Sequence, residues 1–133
     1  RPLSSMSPIM VENRHTGALE LIVGSSGGSR IITANILTTY AYLSHHGQVS
    51  MDDVIARPRW HDQLLPPVTV FEYPGAQTPG FDNATVRALT AKGHRAAYTA
   101  PGLSNAQAIQ HTHAGSWHAA SERRQYEARG AAI

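Results

Sequence analysis

The sequence predicts an α+β domain, and three observations carry that prediction. Short β-prone runs face each other across turn-rich spacers at both ends of the chain. A long stretch with a 3.6-residue apolar period follows a glycine-rich turn. The order reads ββααβαβββ, with hairpins at both ends rather than repeated βαβ units. At 133 residues and 41% hydrophobic, the chain suits one packed domain and is too apolar for a disordered tail.

Each element has its own warrant. Ser7 to Val11 and Leu19 to Val23 are strand-like runs, and the Glu12 to Ala18 spacer between them, with its Asn and Gly, suits a turn. After Gly24-Ser25-Ser26-Gly27-Gly28-Ser29, a helix is expected from about Arg30 to His45. Ile32, Ile36, Tyr40 and Leu43 fall on one of its faces. Ile31, Ala34, Leu37 and Ala41 make a second face apolar, so cover is expected on more than one side, and Gly47 stops the helix. Ser50-Met51-Asp52-Asp53 has the form of a capping box opening a short helix through Ala56. Pro58 and Pro66-Pro67 break the chain before a strand at Val68 to Phe71. Asp82 or Asn83 is expected to cap a helix from Ala84 to Lys92, ended by Gly93. Ala96 to Tyr98, Gln107 to Thr112 and Ser116 to Ala120 read as strands, the last two joined at His113-Ala114-Gly115.

Composition excludes several roles. The net charge is +2, and the pI near 9.3 reflects a small excess of scattered arginines with Lys92 as the one lysine. No dense basic run is present, so no nucleic-acid partner is expected. The apolar run from Ile31 to Leu43 is interrupted by Thr33, Asn35, Thr38 and Thr39 and is too short to span a bilayer. With no cysteine there is no disulfide, no thiolate metal site and no Cys nucleophile. Arg1 opens the chain without an initiator Met or a signal-like segment, which reads as the later part of a longer polypeptide.

The glycine-rich turn carries the clearest chemistry. A strand entering Gly24-Ser25-Ser26-Gly27-Gly28-Ser29 and leaving as a helix presents backbone N–H groups at the positive end of a helix dipole. Such amides suit a phosphate or the oxyanion of a tetrahedral intermediate. Ser29-Arg30 is not the Lys-Ser/Thr of a Walker loop, and the glycine spacing is not GxGxxG. A tight turn without a ligand remains the plain alternative, and spacing alone favours it. Ser4 and Ser5 are similarly open: adjacent hydroxyls before a strand could hold a carboxylate or satisfy a turn.

Taken together, Arg1-Pro2-Leu3-Ser4-Ser5-Met6-Ser7-Pro8 and Gly24-Ser25-Ser26-Gly27-Gly28-Ser29-Arg30-Ile31-Ile32-Thr33 resemble the C-terminal part of gamma-glutamyltransferases (glutathione hydrolases). Ala56-Arg57-Pro58-Arg59-Trp60-His61, Gln63-Leu64-Leu65-Pro66, Gln107-Ala108-Ile109, Gly115 and Ala119-Ala120-Ser121 continue the resemblance collinearly to about Arg124. The resemblance implies a share of an N-terminal nucleophile hydrolase, a four-layer αββα sandwich completed by other chain segments. Residues 1–133 would then be a C-terminal portion of the small subunit, a single domain incomplete alone. It further implies that Gly27 and Gly28 form the oxyanion hole and that Ser4 and Ser5 bind the substrate α-carboxylate; Met6 and Arg30 are candidates for supporting them. The family's nucleophile is a Thr at the new N-terminus made by self-cleavage. It is expected upstream of Arg1, and none of Thr16, Thr33, Thr38 or Thr39 replaces it. Implied partners are the large subunit of the same precursor, the upstream small-subunit segment, glutathione or other γ-glutamyl compounds, and amino acid or dipeptide acceptors. Related acylases of other specificity and inactive binding homologues stand as alternatives.

No cofactor and no metal are expected. His111 and His113 would share a strand face with His118 across the hairpin, but scattered histidines of this kind are read as solvated or capping. His45-His46 suits a helix C-terminus. Trp60 and Trp117 read as core or interface anchors. Arg30 could brace the turn or form a salt bridge. Asn83-Ala84-Thr85 is a glycosylation sequon that, with the resemblance, points outside the cytosol.

Overall fold

Alternating side chains along an eight-residue strand decide where the core lies. In the computed structural model, which describes residues 3–76, 78–125 and 128–131, β1 (Ile9–Glu12) and β2 (Leu19–Ser26) form the expected N-terminal hairpin. Strands β6 (Asn105–His111) and β7 (Trp117–Ala120) form the C-terminal one. The two hairpins join edge to edge through β2 and β6, giving an antiparallel sheet of order β1-β2-β6-β7. Register places Val11 opposite Leu21 and Leu21 opposite Gln110. Two residues along, Ile9, Val23, Ala108 and Ala120 line up, so all these side chains share one face.

Helix α1 (Arg30–Ser44) and the short α2 (Met51–Ala56) cover that face. The core there comprises Leu21, Val23, Ala41, Tyr42, Met51, Val54, Ile55, Ala108 and Ala120. Gly47, at φ +71°, ends α1 by donating its N–H to Tyr42 O, and its own carbonyl accepts from the buried Gln110 side chain at 2.9 Å. His45 at the C-cap sits with Nδ1 2.8 Å from Ala41 O, in keeping with a capping histidine.

A second sheet of β3 (Trp60–His61), β4 (Thr69–Glu72) and β5 (Ala96–Thr99) follows, with α3 (Asn83–Ala91) between its last two strands. Phe71 is fully buried there, edge-on to Phe81 at 5.2 Å and tilted against Tyr98. Asp82 caps α3 by accepting from the Ala84 and Thr85 N–H groups.

Several expectations change. Strand β3 was not anticipated, because two residues carry no readable period. Strands β4 and β5 run parallel across α3, so the chain holds one βαβ unit besides its hairpins. Ser50 occupies the α2 N-cap without a side-chain hydrogen bond, so the capping box is not closed. Strand β6 ends at His111, leaving His113 in the turn and off the strand face. Ile32, Ile36, Tyr40 and Leu43 do form one stripe on α1, but the face that packs inward is Ala34, Asn35, Thr38, Ala41 and Tyr42. The stripe is exposed among the described residues, with Tyr40 69% accessible. The opposite face of the first sheet is also apolar, carrying the exposed Met10 and Ile109 with a half-buried Ile22 between them.

Candidate active site

Strand β2 runs three residues beyond its hydrophobic core stretch, and the chain then reverses through Gly27 and Gly28 into α1. Both glycines take positive φ, +125° and +62°, where an L side chain is strained. Their carbonyls accept from the Arg30 and Ile31 N–H groups and so begin the helix. Neither the Gly27 nor the Gly28 N–H donates to a described residue. Ser29, the N-cap, makes no side-chain capping bond, and no acidic residue lies in the first turn of α1. Two adjacent amide donors at the positive end of a 15-residue helix thus have no claimant among the described residues.

The two glycines differ in surroundings. A Cβ on Gly27 would lie 2.5 Å from Leu103 O and 2.9 Å from Ser104 Cα, whereas one on Gly28 would meet nothing within 4 Å. Gly27 is therefore required for close approach of the loop before β6, and Gly28 only for its dihedral angles. A side chain at Gly27 would therefore displace an amide by collision, and one at Gly28 would not.

That loop is held by a buried ionic network. Arg59 Nη1 donates to Ser104 O at 2.7 Å and pairs with Glu122 Oε2 at 2.7 Å, and Glu122 Oε2 also accepts from the Ala106 N–H at 2.9 Å. Arg124 grips both Glu72 oxygens through Nε and Nη2 and reaches Glu122 Oε1 at 2.9 Å. Its remaining donors go to Ile55 O and Arg57 O, and the Arg59 N–H goes to Glu72 Oε2. All four side chains are buried, so the pairing is obligatory. Burial alone would raise the Glu122 carboxyl, but Arg59, the Ala106 N–H and Arg124 hold it below the ordinary carboxylate value. Burial outweighs Glu122 at Arg59 and draws its guanidinium below the usual value.

Ser4 and Ser5 lie in an irregular segment before β1. Ser4 is exposed and its Oγ accepts from the Met6 N–H at 3.1 Å, the turn-type bond that was the plain alternative for this segment. Met6 is exposed. The serine segment and the glycine turn meet through a residue that sequence reasoning did not nominate. Asn35, 1% exposed on α1, accepts from Ser25 Oγ at 2.5 Å and donates from Nδ2 to Ser7 O at 2.5 Å. An amide side chain in mid-helix, between Ala34 and Ile36, was the available signal.

Arg30 forms no ion pair with a described residue; it lines a small recess with Thr33, His61, Leu103 and Ser104. The Thr33 hydroxyl donates to Arg30 O and lies 2.9 Å from His61 Nδ1. His118 pairs with Asp52 at 2.7 Å and His111 stacks edge-on against Trp117, and no group of three metal-ligating side chains forms among the described residues. Asn83 is exposed as the first residue of α3. No helix is long and apolar enough to cross a membrane among the described residues.

Comparison with known proteins matches residues 1–132 to the Gamma-glutamyltranspeptidase family model. A glutathione hydrolase of Aspergillus flavus is 32% identical over 110 residues, covering 83% of this chain and 17% of the relative. A glutathione hydrolase proenzyme of Escherichia coli is 38% identical over 97 residues, covering 73% and 15%. The chain thus spans under a fifth of the length of these two relatives. The crystal structure of a Helicobacter pylori gamma-glutamyltranspeptidase T380A mutant superposes with a TM-score of 0.78 at 29% identity, covering 94% of this chain and 63% of that one. The α+β class read from the hairpins is the class observed, and the chain belongs to the gamma-glutamyltranspeptidase family.

Proposed function

We propose that this chain contributes the oxyanion turn and the carboxylate-binding serines to an enzyme that cleaves γ-glutamyl amides. The observation that carries the reading is the pair of adjacent N–H groups at Gly27 and Gly28, unclaimed by any described residue, at the head of α1. An N-terminal Thr carried by an upstream segment attacks the γ-carbonyl carbon through Oγ, and its proton passes to that residue's own α-amine. The carbonyl oxygen takes up negative charge opposite the two amides, which are already oriented and cost no reorganisation as the charge forms. The C–N bond then breaks, the leaving amine takes the proton, and a γ-glutamyl ester remains. Water or an amino acid or dipeptide amine attacks that ester, giving hydrolysis or transfer. Glutathione is the proposed donor, and Ser4 and Ser5 bind its α-carboxylate once the Ser4 hydroxyl turns from the Met6 N–H.

The open apolar surfaces support a chain completed by others. The upstream small-subunit segment covers the Met10-Ile22-Ile109 sheet face, closing a four-layer sandwich, and further chain covers the α1 stripe. The large subunit of the same precursor supplies the rest of the substrate pocket. The exposed sequon at Asn83 fits a site of action outside the cytosol.

The test is turnover of γ-glutamyl-p-nitroanilide by the assembled enzyme, with and without glycylglycine. Nitroaniline release stimulated by the acceptor is expected, and none from residues 1–133 alone. An assembled enzyme that releases no nitroaniline refutes the reading.

A further inference from the structure

A buried amide in the middle of a helix costs free energy unless its hydrogen bonds are met. Asn35 meets them outside its own helix, and its two partners belong to the two halves of the candidate site. Ser25 lies two residues before Gly27, and Ser7 lies two residues after Ser5. Two extended residues reach at most about 7 Å, so each half hangs on a short tether from one side chain. Asn35 is itself fixed, at 1% exposure on the face of α1 that packs inward.

We propose that Asn35 is a positioning residue that sets the span between the carboxylate-binding serines and the oxyanion amides, and so selects a γ-glutamyl donor over a β-aspartyl one. The proposal rests on the function given above. In a γ-glutamyl group three carbons separate the α-carboxylate from the reacting carbonyl carbon; in a β-aspartyl group there are two. A site anchored at both ends measures that length. With the carboxylate seated on Ser4 and Ser5, the shorter acyl group cannot bring its carbonyl oxygen to Gly27 and Gly28. Misplacing a reacting atom by ~1 Å costs about 100-fold, and one methylene is commonly discriminated by about 10- to 200-fold.

The experiment compares kcat and KM for γ-glutamyl- and β-aspartyl-p-nitroanilide in the assembled wild-type enzyme, N35A, S25A and S25T, with thermal unfolding of each. N35A removes both bonds; it is expected to lower kcat on the γ-glutamyl donor by about tenfold or more and to shrink the γ-glutamyl to β-aspartyl ratio of kcat/KM by a similar factor. S25A removes only the tie to β2 and is expected to shift the ratio the same way by less, while S25T, which keeps the hydroxyl, restores it. A merely structural role would lower Tm and the yield of active enzyme but leave the ratio unchanged. An unchanged ratio in both N35A and S25A overturns the proposal, and if N35A does not fold the S25A ratio decides alone. A wild-type enzyme inactive on the γ-glutamyl donor is a separate result, which removes the parent function and this proposal with it.

Discussion

Replacing Gly27 by alanine tests the geometry of the turn most severely. The added Cβ would stand 2.5 Å from Leu103 O where ordinary contact begins at 3.4 Å, so the two backbones must part by about 0.9 Å. The loop cannot easily yield, because Arg59 holds Ser104 O and Glu122 holds the Ala106 N–H from within a buried ion network. The displacement therefore falls largely on the turn, and a shift near 1 Å at a reacting group costs about 100-fold. Complete loss of one oxyanion donor costs about 100- to 1,000-fold in kcat. G27A should lower kcat on γ-glutamyl-p-nitroanilide by that range with KM little changed, since the donor acts on the charged transition state. G28A meets only a left-handed φ, a strain of ~1–2 kcal/mol, and no neighbour within 4 Å, so it should retain the larger share of activity. Steady-state kinetics referred to the processed fraction on a denaturing gel make the comparison. G27A enzyme retaining more than a tenth of wild-type kcat, or G28A proving the more damaging, would refute the reasoning.

Removing one member of the buried network leaves its partners charged and dry, so R124A should destabilise the enzyme by about 3–5 kcal/mol in denaturant unfolding. Because the folded-state pKa of Glu122 is depressed, its ionisation stabilises the fold above the ordinary carboxylate pKa of about 4.3. That contribution is lost as pH falls below this value toward the folded-state one. Acid unfolding should accordingly be shallower in E122Q, which cannot titrate, and identical acid limbs would contradict it. I36E lies on the exposed stripe of α1, so it should leave the local fold intact by circular dichroism but reduce co-purification with the remaining chain segments.

Much of the fold was readable from local pattern. The first hairpin, α1, α3 and the last hairpin each carry a period or a punctuating glycine, and Asp82 caps α3 as its position suggests. What local pattern could not show was which face of α1 turns inward. Ile32, Ile36, Tyr40 and Leu43 are the stronger apolar stripe, yet the sheet takes the smaller face of Ala34, Thr38 and Ala41, which lets the helix pack closely on β2. Apolar period reports that a face is covered, not what covers it. The parallel pairing of β4 and β5 is likewise a long-range choice, made across α3 and absent from either strand's own residues.

The site divides along the same line. The turn at Gly27 and Gly28 was legible because positive φ and close approach restrict the residue type. The roles proposed for it and for Ser4 and Ser5 come only through the resemblance, since a glycine turn or a serine pair looks the same whether it binds or turns. Asn35 and the Arg59, Glu72, Glu122 and Arg124 network escaped because their partners lie up to 69 residues away. Arg59 lies in the Ala56 to His61 run that carries the resemblance, yet nothing local indicates that its guanidinium reaches the loop beside Gly27.

The most direct measurement is a structure of the assembled enzyme trapped with a tetrahedral mimic of the γ-glutamyl intermediate on its threonine. The account predicts the mimic's oxygen within about 2.7–3.1 Å of both the Gly27 and Gly28 backbone nitrogens. An oxygen bound by other donors, with these two amides facing away from the threonine, would contradict it.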